Sequence, residues 1–218
     1  MVKSSTNGET RQEILRAALK RFAHAGYAAT SVQQIVADAK VSKPALYYYF
    51  ADKAGLFQSL VNEAFDERYR LMREAAVSAT GFRERLVEVL AVLFEYFREN
   101  RELMRISFAT VFAAPGEVPA GLRYLDKAER NFAFIHGLMK SGVKAGALDR
   151  RFDSRELAFG FYGLMNLYLM SHLLMPGDPL DRRTAGRIVD LFLAGAAPQK
   201  PAKNPSRKSA RTVAGKIS

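Results

Sequence analysis

The sequence predicts an all-α protein of about nine helices: a small N-terminal head of three helices, then a larger helical bundle. Three observations carry this. Apolar residues recur at helical spacing almost throughout the 218 residues. Several segments open with Thr, Ser or Asp followed three residues later by Glu or Gln, the mark of a helix N-terminus. No alternating apolar–polar run exceeds a few residues.

The first helix is expected to open at the Thr10/Glu13 capping box. Ile14, Leu15, Ala18, Leu19 and Phe22 lie on one face, and Gly26 supplies the stop. A second box, Ser31 with Gln34, opens a helix of about two turns carrying Val32, Ile35, Val36 and Ala39. After the link Lys40-Val41-Ser42, a third helix starts with Ser42 as N-cap and Pro44 in its first turn, and runs through Leu46 to Phe50. Asp52 caps a long fourth helix reaching about Thr80. Further helices are expected over 83–99, 101–113, 119–146, 153–174 and 182–196, separated by Gly81, Asn100, Pro115-Gly116, Gly146 and the turn Pro176-Gly177-Asp178-Pro179. Asp153 and Glu156 form another box. The expected organisation is an arm (1–9), a head (10–55), a bundle (56–197) and a tail (198–218), with arm and tail expected to be disordered.

Composition narrows the chemistry. There is no cysteine, which excludes disulfides, thiolate metal sites and a Cys nucleophile. The three histidines, His24, His136 and His172, are far apart, so no local His metal motif exists. No metal and no cofactor is expected. The polar N-terminus is no signal peptide, and no stretch approaches 18 uninterrupted apolar residues, so no membrane span is expected and the chain is placed in the cytoplasm. The net charge of +11 is uneven. Residues 10–55 hold seven basic and three acidic side chains, residues 56–197 hold 19 and 18, and residues 198–218 hold six and none. Charge concentrated at both ends suggests a polyanionic partner, with nucleic acid the foremost candidate.

Residues 31–50 form two short helices joined by a tight turn, a helix-turn-helix pattern. An ordinary helical hairpin would look similar. Tyr47, Tyr48 and Tyr49 argue for more. Three consecutive helical residues lie about 100° apart, so they cannot all be core. Outward tyrosines beside Lys43 and Lys53 suit phosphate contact and base stacking. The second helix would then enter the major groove, and the start of the first, with the Ser31 hydroxyl, would hold a phosphate.

The stretch ATSVQQIVADAKVSKPALYYYFADKAGLF resembles the DNA-binding signature of the TetR/AcrR family of bacterial transcriptional regulators. The resemblance covers about residues 10–57, through Phe22, Gly26, Tyr27, Ser31, Ile35, Val41, Ser42, Leu46, Tyr47, Phe50, Lys53 and Leu56. It implies Tyr47, Tyr49 and Lys53 as phosphate contacts. It implies Lys43, Pro44, Ala45 and Tyr48 as the base-facing surface, with Gln33 reaching from the preceding helix. Ile35, Val36, Val41, Leu46 and Phe50 would be the core beneath them. Two positions depart from the family pattern. Lys40 stands where glycine is frequent, so a left-handed backbone there would cost about 1 kcal/mol, and its charge would compensate by reaching a phosphate. Ala45 stands where threonine is frequent, leaving only a methyl to meet a thymine methyl.

For the bundle the resemblance implies ligand binding and homodimerisation through the last two helices. The expected interface is Leu157, Phe161, Leu164 and Tyr168 with Ile188, Leu191, Phe192 and Gly195, while Gly160 and Gly163 permit close approach. Phe108, Tyr124, His136, Tyr162, Met165 and Asn166 are the pocket candidates. A Phe/Met stripe at helical spacing is more often plain core, and the plain reading of His136 is a satisfied core histidine. The implied effector is an uncharged or weakly polar hydrophobe. The function implied is a dimeric, palindrome-binding repressor released by that effector, cytoplasmic and nucleoid-associated. The rival is a sequence-tolerant architectural DNA binder driven by the basic tail. An enzyme is not expected: there is no Ser/His/Asp arrangement, no Gly-rich phosphate loop and no ExxH pair.

Overall fold

The computed structural model describes residues 7–175, 177 and 179–196, which contain nine α-helices. They are α1 (Asn7–Ala29), α2 (Val32–Ala39), α3 (Lys43–Tyr49), α4 (Lys53–Ser78), α5 (Phe82–Glu99), α6 (Arg101–Val111), α7 (Leu125–Lys144), α8 (Ser154–Leu174) and α9 (Arg182–Ala196). The expected tail (198–218) and residues 1–6 of the expected arm lie outside the described residues.

Two helix starts differ from expectation. α1 opens at Asn7, so residues 7–9 of the arm are helical and Thr10 is inside the helix rather than its cap. α7 opens at Leu125 instead of 119. The cause is Gly121, whose φ of 76° lies in the left-handed region, with the turn closed by the Leu122 amide donating to the Pro119 carbonyl at 3.2 Å. Three of the other starts follow side-chain caps. Ser42 accepts from the Ala45 amide, Asp52 from Gly55, and Asp153 from Arg155. Gly26 (φ 79°, ψ 168°) interrupts α1, and Tyr27–Ala29 continue as one further turn.

The head is α1–α3. α1 packs on α2 and α3, and it also touches α4 and α6 of the bundle. In the bundle α4 lies against α5, α6 and α7, α7 against α8, and α9 chiefly against α5. One continuous apolar core runs from Ile14 and Leu46 in the head, through Leu56, Phe57 and Leu60 of α4, to Phe94, Phe97 and Phe161. α4 therefore belongs to both parts. Its 26 residues span about 39 Å.

Candidate functional site

The helix-turn-helix is built by local hydrogen bonding. The Gln34 amide donates to Ser31 Oγ at 3.2 Å, and the Ser31 amide donates to Gln34 Oε1 at 2.8 Å. The Ser31 hydroxyl also donates to Gln34 Oε1, so it is committed to the cap and its phosphate role would require it to turn away. α2 ends in a Schellman motif. The Val41 amide reaches the Val36 carbonyl at 3.0 Å and the Lys40 amide reaches Ala37 at 3.2 Å. Lys40 is left-handed (φ 55°, ψ 40°), and no other described non-glycine residue has positive φ. The turn therefore takes the glycine geometry with a lysine in it, and that lysine's side chain is exposed.

α3 presents two faces. Leu46 and Phe50 are buried with Ile35, Val36 and Ala39, and Val41 is half-buried at their edge. On the other face Lys43, Pro44, Tyr47 and Tyr48 follow i, i+1, i+4, i+5 spacing and are all exposed, Tyr48 at 73%. Gln33 and Ser42 are exposed and Ala45 is half-buried. Tyr49 turns back: its ring meets Tyr48 edge-on at 4.9 Å and leans on Phe50. The tyrosine triplet thus divides two outward and one inward.

Lys53 sits differently from its expected phosphate position. Its ammonium donates to the carbonyls of Tyr27 at 2.9 Å and Thr30 at 2.8 Å, and lies 4.2 Å from the centre of the Tyr27 ring. It ties the start of α4 to the end of α1. A second tie, absent from the sequence reading, is the Arg21 fork on Asp38, at 2.5 and 2.8 Å, which fixes α1 to α2. The Arg21 hydrogen bond holds the Asp38 carboxyl below the usual carboxylate range.

The six pocket candidates are spread over α6, the start and middle of α7, and α8. Phe108 packs edge-on against Phe97, and Tyr124 stacks on Phe65. His136 Nε2 pairs with Ser154 Oγ at 3.0 Å, under Phe132, and ties α7 to α8. Tyr162, Met165 and Asn166 do come together on α8: Asn166 donates to the Tyr162 carbonyl at 2.8 Å and accepts from Arg68 at 3.1 Å. A separate cleft of about 380 Å³ lies between the end of α1 and α6, lined by Phe22, Gly26, Tyr27, Phe57, Ile106 and Thr110, and by none of the six.

The interface candidates also divide. Leu157, Phe161 and Ile188 are buried within the protomer, at 6%, 0% and 2% exposure. Phe161 packs edge-on with Phe192 at 5.3 Å. Leu164, Tyr168 and Phe192 are half-buried, and Leu191 and Gly195 are exposed. The outward face of α8 is Phe159, Gly160, Gly163 and Leu167. Among the described residues α8 is also the one helix long and apolar enough to cross a membrane by length and composition, although it packs on α7, α9 and α6.

Residues 14–60 match the family model described as bacterial regulatory proteins, tetR family. The chain is 33% identical to the HTH-type transcriptional regulator YuxN of Bacillus subtilis over 168 residues, which are 77% of this chain and 56% of that protein. It is 27% identical to the HTH-type transcriptional activator FasR of Mycolicibacterium smegmatis, covering 63% of each. It therefore spans little more than half of these two curated relatives. Against the HTH-type transcriptional regulator AcrR of Shigella flexneri the identity is 26%, over 90% of this chain and 95% of that one. Two solved structures share the fold at 19% identity. The fatty acid degradation regulator FadR of Bacillus halodurans has a TM-score of 0.76 over 88% of this chain and 98% of its own. FadR of Bacillus subtilis, solved in complex with stearoyl-CoA, has a TM-score of 0.73 over 84% and 98%. On that helical fold, residues 14–60 of the chain are a DNA-binding head of the tetR family of bacterial regulatory proteins.

Proposed function

We propose that the protein represses transcription by binding a palindromic operator as a homodimer, and that a small hydrophobic effector releases it. The observation that carries the DNA-binding half is the outward stripe of Lys43, Pro44, Tyr47 and Tyr48 on α3, held from behind by buried Leu46 and Phe50. This is the arrangement in which a recognition helix presents base and phosphate contacts together. One such helix reads few bases, and two related by a dyad read a palindrome. The exposed apolar faces of α8 and α9 supply the surface on which the dyad forms. Phe159 and Leu167 are 57% and 54% exposed, and Leu191 is 61% exposed.

Release works through α4, which shares its apolar core with the head at one end and the bundle at the other. An effector that favours a conformer with the heads at the wrong separation weakens operator binding, and DNA weakens effector binding by the same factor. The likeness in fold to a regulator solved with stearoyl-CoA supports an effector that carries a long apolar chain.

Selection of sites from a random duplex library, at about 150 mM salt with competitor DNA, tests the reading. Enrichment of a palindrome with a fixed half-site spacing is expected. Binding without enrichment would instead favour sequence-tolerant binding through the six basic residues of 198–218.

A further inference from the structure

Arg68 is a charged side chain at 4% exposure inside the bundle, on the inward face of α4. It makes one hydrogen bond among the described residues, from its guanidinium to the neutral Asn166 Oδ1 at 3.1 Å, and it has no ion pair. Its Nε is buried without a partner. A guanidinium keeps its charge in proteins, so it cannot escape by losing a proton. The carboxylates next to it in sequence are committed elsewhere: Asp66 to Lys127 and Arg130, and Glu67 to Arg70. A buried charge left unpaired is costly, and the fold retains this one.

Further polar groups lie nearby. From α7, the Asn131 amide donates to the carbonyl of Phe65, one turn before Arg68 on α4, while its own Oδ1 is buried with no donor. Tyr96 of α5 is half-buried; burial, with Glu63 and Glu67 adding to it and Arg68 opposing, pushes its phenol up. The bundle core also holds four buried methionines, Met72, Met104, Met139 and Met165. These are unbranched side chains that repack around an incoming molecule at little cost.

We infer that Arg68 is the counter-ion for a compact oxyanion on the effector, which makes the effector an apolar molecule with one anionic head rather than an uncharged hydrophobe. This rests on the reading of the bundle as the effector domain. The head pairs with Arg68 in place of the missing carboxylate, Asn166 orients the guanidinium, and the apolar tail runs among the methionines. A charged group buried beside α4 is also well placed to bias the helix that carries the head.

Calorimetric titration of the full chain tests it, with octyl to hexadecyl probes in three forms of equal length: carboxylate, alkyl phosphate and alcohol. At least one anionic form is expected to bind about tenfold or more tightly than its alcohol, as a charge-assisted hydrogen bond requires. Whichever anion binds more tightly identifies the head as carboxylate or phosphate. Arg68→Met is expected to erase the anion preference while leaving alcohol binding, operator binding and melting temperature intact or improved, since it removes an unpaired buried charge. Arg68→Lys keeps the charge and is expected to keep part of the preference. Equal binding of alcohol and anion by the unaltered protein, or a preference that survives Arg68→Met, overturns the inference and leaves the effector reading standing. If no probe of any form binds or releases operator, the inference and the effector reading fall together. Should Arg68→Met not fold, the anion-to-alcohol ratio of the unaltered protein still decides.

Discussion

At the scale of single residues the head shows how side chains of one type divide between scaffold and surface. Lys43 and Lys40 are exposed, whereas the ammonium of Lys53 is spent on two backbone carbonyls and the Tyr27 ring. A scaffold role and a phosphate role leave different traces. Lys53→Met should lower stability by about 1–3 kcal/mol, because the Tyr27 and Thr30 carbonyls lose a charged donor. The dependence of operator affinity on salt should stay the same. A pure phosphate contact would give the reverse: unchanged melting and a salt slope reduced by about one. Thermal melting and a salt titration of operator binding together separate the two. The sequence could not assign this lysine, since its partners are carbonyls 23 and 26 residues away, and backbone carbonyls leave no mark in side-chain pattern. The outward stripe of α3 was legible, because a run of three tyrosines on one helix must split.

At the scale of elements, what joins one helix to the next is side-chain chemistry laid over apolar packing. α1 and α2 are clamped by Arg21 on Asp38. That hydrogen bond lowers the Asp38 carboxyl in the folded head relative to the unfolded chain. The clamp's contribution is therefore complete above the unfolded value of about 3.9 and is lost as pH falls through the lower, folded value. Melting of the unaltered protein and of Asp38→Asn should run parallel above about pH 5 and converge below about pH 4, with the unaltered protein the more stable at neutral pH. The gap should be small, since both partners are more than a third exposed. Parallel curves down to pH 3 would remove the clamp from the account. Helix starts were legible where a side chain caps them, at Ser31, Ser42, Asp52 and Asp153. They were misread at Thr10, where the helix runs on into the arm, and at 119, where a left-handed Gly121 breaks a pattern that periodicity alone continues.

At the scale of the whole molecule the proposed assembly rests on α8, and it is the element where periodicity says least. It is apolar on nearly every side. Leu157, Phe161, Met165 and Leu169 fill the protomer's own core, while Phe159, Gly160, Gly163 and Leu167 face out. A helix with apolar residues all round must be covered all round. Its own bundle covers one side, and in the proposed homodimer a second copy related by a dyad would cover the other. Small residues at 160 and 163 let the backbones approach, and Leu191 of α9 extends the same face. Leu167→Glu combined with Leu191→Glu should give a folded monomer by light scattering and sedimentation. Its operator affinity should fall by about a hundredfold or more, because each half-site then binds without the other's contribution to effective concentration. Phe161→Ala should behave oppositely. It should cost about 3–5 kcal/mol of stability by opening a cavity, while the folded fraction remains dimeric. If the double glutamate variant stays dimeric and Phe161→Ala dissociates, the inward and outward faces of α8 have been exchanged, and the dimer forms through some other surface.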